Sequence, residues 1–170
     1  MHKRGLAIAA LALLALGLHA QRQTSAGSAL VVVIPPEARV QPQQVPLEFK
    51  VSADGASDVV SQTTSVAAWV RALPNHPIRL TMQLVHLEGS GGLLSAAALR
   101  WTSVAPRSTG GGREASCTTG AFAAGAAQDL VAGWQRSGSL ECAVTWQLAD
   151  PRSLPPGRYT GLVEFAVAPR

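Results

Sequence analysis

The amino-acid sequence predicts an all-β fold, an antiparallel β-sandwich of about seven or eight strands. Apolar and polar residues alternate over short stretches, which is the period of a strand buried on one face. Turn signals rich in proline and glycine separate these stretches, and no strong helical pattern lies between them. The last stretch shows this best, because Tyr159, Val163 and Phe165 fall on one face while Arg158 and Glu164 fall on the other.

Strand signals recur along the chain, and one long stretch lacks them. The predicted strands are residues 29–34, 47–53, 66–73, 78–84, 97–104, 128–135, 140–148 and 158–167. Residues 105–120 contain Pro106, Gly110, Gly111 and Gly112, which predicts an irregular, exposed and mobile loop. This number and spacing of strands favours immunoglobulin-like topology.

Residues 122–135 allow two interpretations. Phe122, Leu130 and Trp134 could form the apolar stripe of a helix, whereas Leu130 and Trp134 also alternate as they would on a strand. We favour a strand from Gln128, because Gly125 and Gly133 would each weaken a helix by about 1 kcal/mol relative to alanine.

The N-terminus predicts export. Lys3 and Arg4 precede an apolar run over residues 6–18 and the small residue Ala20, which is the pattern of a secretory signal peptide. We expect cleavage after Ala20, with Ala26 as the alternative. Residues 21–28 then form a flexible leader and residues 29–170 a single domain. The run is too short to cross a bilayer, so we expect an exported protein that does not span the membrane and is periplasmic, extracellular or at the cell surface.

Two cysteines, Cys117 and Cys142, lie in this exported chain. One disulfide between them is the natural interpretation in an oxidising compartment, and two separate thiols are the alternative. The bond would attach the glycine-rich loop to the strand that contains Cys142.

The sequence predicts no catalytic, metal or cofactor site, and we expect a protein that is not an enzyme. His76 and His86 are interpreted as ordinary histidines in a turn and at the inward-facing end of a strand. Asp54 and Asp58 lie in a turn without the remaining pattern of a calcium loop. The formal charge of +4 falls to +2 once Lys3 and Arg4 are removed with the signal peptide, and the remaining arginines are spread singly, so we expect no nucleic-acid partner.

The four tryptophans divide into two groups. Trp101 and Trp146 lie on the inward phase of predicted strands and should belong to the core. Trp69 shares its face with Arg71, and Trp134 neighbours a polar turn, so this second pair is a candidate ligand patch that could stack on sugar rings.

Two stretches resemble a known class of domain. Residues 155–169, PPGRYTGLVEFAVAP, and residues 45–55, VPLEFKVSADG, are similar to the last strand and the opening of bacterial secreted immunoglobulin-like domains of the pilin and spore-coat type. The resemblance implies the fold. It also raises the expectation that Tyr159 is buried, with its hydroxyl bonded to nearby backbone as in a tyrosine corner.

In immunoglobulin-like domains that corner precedes the penultimate strand, yet nothing follows the strand that begins at Tyr159. A strand would then be missing and an edge open. The residues predicted to fill this edge are Ala29, Leu30, Val31, Val32, Val33 and Ile34. They could act in their own chain, which we favour because residues 35–46 look long enough to fold back, or in a neighbour. We therefore expect a non-enzymatic structural, surface or interaction subunit, pilin-like in character, with a secreted ligand- or carbohydrate-binding module as the alternative.

Overall fold

Two antiparallel sheets of long strands face each other, which confirms the predicted all-β sandwich. The computed structural model describes residues 35–53, 62–72 and 76–169. The strands within these residues are β1 (Glu37–Gln41), β2 (Gln44–Val51), β3 (Gln62–Arg71), β4 (Ile78–Gly89), β5 (Gly92–Leu93), β6 (Leu99–Gly110), β7 (Ser116–Cys117), β8 (Gly120–Ala121), β9 (Gln128–Asp129), β10 (Val131–Ala132), β11 (Gly138–Leu148) and β12 (Gly157–Pro169). Three short 3-10 helices join them at Ala96–Ala98, Gly111–Glu114 and Pro151–Ser153.

The strands pair in a simple order. Sheet I has the order β1-β3-β11-β6-β8, and sheet II has the order β2-β12-β4-β5, with β9 also paired to β4. A separate pair joins β7 to β10. All of these pairs are antiparallel.

The core lies between the inner faces of sheets I and II. On β11, Leu140, Cys142, Val144, Trp146 and Leu148 are all buried, as the alternating pattern predicted. Aromatic rings connect the two sheets, since the Trp146 ring centroid lies 6.3 Å from that of Phe165 on β12. Residues Ile34–Arg170 form one compact unit.

One strand departs from its predicted phase at a β-bulge. On β4, Leu84 pairs with Val163 and His86 pairs with Leu162, so Val85 is an extra residue without a counterpart on β12. The extra residue reverses the alternation. Leu87 is therefore buried, and the prediction that His86 points inward is wrong, because its side chain is exposed.

The predicted loop over residues 105–120 is largely ordered structure. Strand β6 continues to Gly110, and Gly111 and Gly112 are buried. A Cβ atom on Gly112 would lie 2.1 Å from the carbonyl oxygen of Ser139, so the glycine allows backbone to pack against β11. The prediction of an irregular loop is therefore wrong, because these glycines allow close packing, whereas the predicted exposure holds for most residues from Ala105 to Gly110.

Residues 122–135 contain two very short strands, β9 and β10, so the choice of strand over helix holds, but the predicted continuous strand over residues 128–135 is not formed. Gly133 has a φ of +78°, a left-handed value that interrupts regular structure. The predicted disulfide between Cys117 and Cys142 is confirmed. It connects the β7–β10 pair to the centre of sheet I.

Tyr159 has the predicted position. Its side chain is 1% exposed, and its hydroxyl donates a hydrogen bond to the carbonyl oxygen of Pro155 at 2.6 Å. The predicted signal peptide, the leader, residues 29–34, Asp54 and Asp58 lie outside the described residues. Within the described ranges, no helix is long and apolar enough to cross a membrane.

Candidate functional site

The two tryptophans predicted to form one patch have different environments. Trp69 is 40% exposed and lies on the outer face of sheet I. Trp134 is 1% exposed, and its indole nitrogen donates to the carbonyl oxygen of Arg136 at 2.9 Å. The polar turn after Trp134 therefore folds over the ring, and the prediction of a shared ligand patch is wrong for Trp134.

The edge predicted to be open beside the last strand is occupied. Strand β2 pairs with β12 from Gly157↔Val51 to Glu164↔Gln44, while β4 pairs with its other side. Strand β2 of the same chain therefore fills the edge of β12, where the sequence had predicted a missing strand, from Gly157 to Glu164. An edge that could accept an added strand must therefore lie elsewhere in the sandwich.

The outer edge of β2 is poorly suited to strand addition. The backbone N–H of Glu48 points away from β12, because it donates to Oε1 of Gln62 at 3.2 Å. Pro46 lies two residues earlier, in the same phase of the strand, and has no N–H to offer. Because the N–H of Glu48 is already bonded and Pro46 has no N–H, this edge offers few donors to an added strand.

The outer edge of β6 is also interrupted. The register of β6 against β11 shifts between Arg107 and Val104, which marks a bulge. Pro106 lies within that bulge, and Arg107 is exposed beside it. Bulges, proline and charge are common means of preventing edge pairing.

The outer edge of β1 has no bulge and no proline between Glu37 and Gln41, although it carries the charged residues Glu37 and Arg39. It pairs with β3 on one side, and no strand of the described part pairs with its other side. Ala38 and Val40 are partly buried against the core. Among the described strands, β1 is therefore an outer strand of sheet I with an apolar inner side.

A groove lies beside this edge. At the start of β2, the N–H of Phe165 on β12 donates a backbone hydrogen bond to the carbonyl oxygen of Gln43 at 2.8 Å. Residues 41–43, which include the cis bond before Pro42, connect β1 in sheet I to β2 in sheet II. Beyond Phe165, β12 continues to pair only with β4. We define the β1 groove by Ala38, Val40, Pro42, Phe165 and Val167, which line part of an open concavity of about 1550 Å³.

Other residues that line the concavity lie on the outer face of sheet I. Two rows of residues cross its four long strands in register: Arg39, Trp69, Ser139 and Thr109 in one, and Gln41, Ala67, Glu141 and Arg107 in the other. All eight line the concavity. We call these two rows the Trp69 face.

No metal site is visible in the described part of the chain, where no three histidine, cysteine, aspartate or glutamate side chains cluster suitably. His76 and His86 are both exposed and lie on different elements of the sandwich. Neither belongs to the β1 groove or to the Trp69 face.

Comparison of the chain with protein-family models, with curated proteins and with solved structures found no match. The similarity of residues 155–169 to pilin and spore-coat domains therefore stays a prediction.

Proposed function

We propose that the protein is an exported, non-enzymatic structural or interaction subunit whose copies associate by strand addition. In this proposal residues 29–34 of one copy add to the outer edge of β1 of another copy. The observation that supports it is the contrast among the edges, since those of β2 and β6 are protected, whereas no strand of the described residues pairs with the outer side of β1, which borders an apolar groove. The disulfide agrees with an oxidising compartment.

A neighbouring copy is the better acceptor for a geometric reason. Residues 35–46 are not a free connection that could bring residues 29–34 back to their own sandwich, because they contain β1 and the start of β2. To pair with its own β1, the run would have to reverse through Pro35 and Pro36. A tight hairpin requires a positive φ at its first central residue, and proline holds φ near −65°.

Pro35 is also held in place. Its carbonyl oxygen accepts a hydrogen bond from Nε of Arg71 at 3.2 Å, and Arg71 pairs with Glu37 at the start of β1. Pro35 is thereby anchored at the Glu37 end of β1, where a run that paired with its own β1 would have to reverse. In the proposed docking, Val31 and Val33 lie on one face of the added strand and contact the groove, and the other residues of the run are also apolar.

The test is the self-association of the exported protein measured by sedimentation velocity over a range of concentrations. The double variant Val31→Asp with Val33→Asp should be monomeric where the wild type associates, because buried unpaired charges oppose docking. Val85→Asp is the matched control, since Val85 is exposed and outside the groove. It should associate as the wild type does.

A labelled peptide of residues 28–36 provides the second measurement. It should bind the double variant, whose groove is intact and empty, and the same peptide with both aspartates should not. A wild type that is monomeric at every concentration, or a double variant that associates normally, would refute the proposal. Peptide binding by the double variant together with a monomeric wild type would instead indicate that the run fills its own groove.

A further inference from the structure

The Trp69 face combines an exposed aromatic ring with charged and hydroxyl groups. Its register neighbours are polar, and the small side chain of Ala67 on the same strand leaves room above the sheet. The other three tryptophans are buried in the core. The exposed ring is therefore a specific feature of this surface.

The ring is held in a defined orientation. The guanidinium of Arg71 lies 5.9 Å from the centroid of the Trp69 ring, a cation–π contact. Arg71 is itself fixed by the carboxylate of Glu37 at 3.3 Å and by the carbonyl oxygen of Pro35. A flat ligand would meet a ring that has lost much of its freedom before binding, which lowers the entropic cost.

The charges around the ring do not balance. Arg39 and Arg71 share a single carboxylate, that of Glu37, at 2.6 and 3.3 Å. Among the described residues, one positive charge is therefore in excess beside Trp69. Arginine stays protonated at any physiological pH and binds carboxylates through paired N–H donors, so this end of the face suits a carboxylate.

Hydrogen-bonding groups continue across the sheet. The hydroxyls of Ser139 and Thr109 bond to each other at 2.7 Å, and in the next row Glu141 accepts from Ser65 at 2.6 Å. Arg107 lies 3.9 Å from Glu141 with its side chain largely in solvent. The rows cross four strands, a distance of roughly 14 Å at the usual strand spacing, so they can contact several sugar units.

We propose that the Trp69 face binds an acidic glycan, a chain containing uronic acid units. The apolar face of one pyranose ring stacks on Trp69, and its carboxylate pairs with Arg39 and Arg71. The hydroxyls of Ser139 and Thr109 bind the next unit. This site uses side chains on the outer face of sheet I and does not depend on strand addition at β1.

The experiment is titration calorimetry of the full exported chain with a short oligogalacturonate, and with an uncharged galactan oligosaccharide of the same length. Trp69→Ala should weaken binding of the acidic probe by about tenfold or more. Arg39→Gln and Arg71→Gln should each weaken it by about threefold to tenfold, and added salt should reduce the wild-type affinity. Val104→Thr is the matched control, an exposed residue on the same sheet face outside the two rows, and should bind as the wild type does.

The Trp69→Ala and Arg71→Gln variants distinguish acidic-glycan binding from a loss of folding or from binding of another ligand. Trp69→Ala should keep the wild-type melting temperature, because the ring lies outside the core, and Arg71→Gln repeats the test without removing the ring. Equal binding of the uncharged oligosaccharide, tighter binding of oligothymidylate, or no effect of Trp69→Ala would overturn the proposal. The Val31→Asp, Val33→Asp variant should bind the short probe normally, so failure of strand addition is distinguishable from failure of this site.

Discussion

Removal of the hydroxyl group of Tyr159 tests how much its hydrogen bond stabilises sheet II. Replacement of Tyr159 by phenylalanine removes the hydrogen bond to Pro155 and leaves the buried ring in place. Pro155 is exposed, so water can satisfy the carbonyl that is left. The expected loss is about 1 kcal/mol in the free energy of unfolding, the net value of one neutral hydrogen bond, without the penalty of an unsatisfied buried group.

The measurement is urea unfolding with the disulfide intact, followed by tryptophan fluorescence. A thermal scan should show a decrease of about 4 °C in the melting temperature for a domain of this size. Thr160→Ala is the control, because it removes a hydroxyl from the neighbouring residue, whose contact with Glu88 is exposed and 3.5 Å long. Equal midpoints for Tyr159→Phe and Thr160→Ala would refute the role assigned to the corner.

The ring of Tyr159 also packs directly against Gly89, and this contact gives a second test of the same packing. A Cβ atom on Gly89 would lie 2.2 Å from two ring carbons, far inside van der Waals contact. Gly89→Ala should therefore cost about 1–3 kcal/mol through overpacking. In a Tyr159→Ala background the same change should be nearly neutral, and a double-mutant cycle measures this coupling. Additive effects would show that ring and glycine do not form one packing unit.

The remaining predictions concern the disulfide, one buried glycine and one edge. Replacement of both Cys117 and Cys142 by alanine should lower the unfolding free energy by about 3.5 kcal/mol, the chain-entropy value for a loop of this length; a loss below about 1 kcal/mol in urea unfolding would contradict this. Gly112→Ala should destabilise by about 2 kcal/mol or more because its Cβ would meet backbone, whereas Gly91→Ala, which has open space, should be neutral in the same assay. Pro46→Thr restores an outward N–H on β2 and should increase light scattering with concentration. Unchanged scattering would contradict the protective role of that edge.

The fold was predictable where strand patterns are local. On β11 and β12, the alternation of apolar and polar residues directly reflects which face is buried, and on β11 every second residue from Leu140 to Leu148 is buried as predicted. Period-2 alternation needs no knowledge of neighbouring strands. The tyrosine corner was predictable for the same reason, since Pro155 and Tyr159 are only four residues apart.

Features that depend on a partner strand were missed. The extra residue Val85 is visible only against the register of β12, and the packing of Gly112 only against Ser139. Residues 35–46 hold four prolines and were interpreted as a connection, yet they form β1 and begin β2. Proline is tolerated on edge strands because an outward N–H has no ladder partner to lose.

The candidate site was predictable in part. The shared face of Trp69 and Arg71 followed from their spacing on one strand, and the structure adds that the arginine lies over the ring. The exposure assigned to Trp134 failed because the polar residues after it fold back, so that the Arg136 carbonyl accepts its indole N–H. A polar neighbour in sequence does not place a side chain in solvent.

The two proposals together make a further prediction. Strand addition uses backbone groups along the edge of β1, whereas glycan binding uses side chains such as Trp69 on the outer face, so associated copies keep their binding faces. Several weak faces in one assembly gain avidity for a long polymer, on the order of a hundredfold or more when the geometry permits simultaneous contact. The Val31→Asp, Val33→Asp variant should therefore bind a short oligogalacturonate like the wild type but be retained far less by immobilised polygalacturonate. Trp69→Ala should lose both. Equal retention of the double variant and the wild type on the polymer would show that association adds nothing to glycan binding.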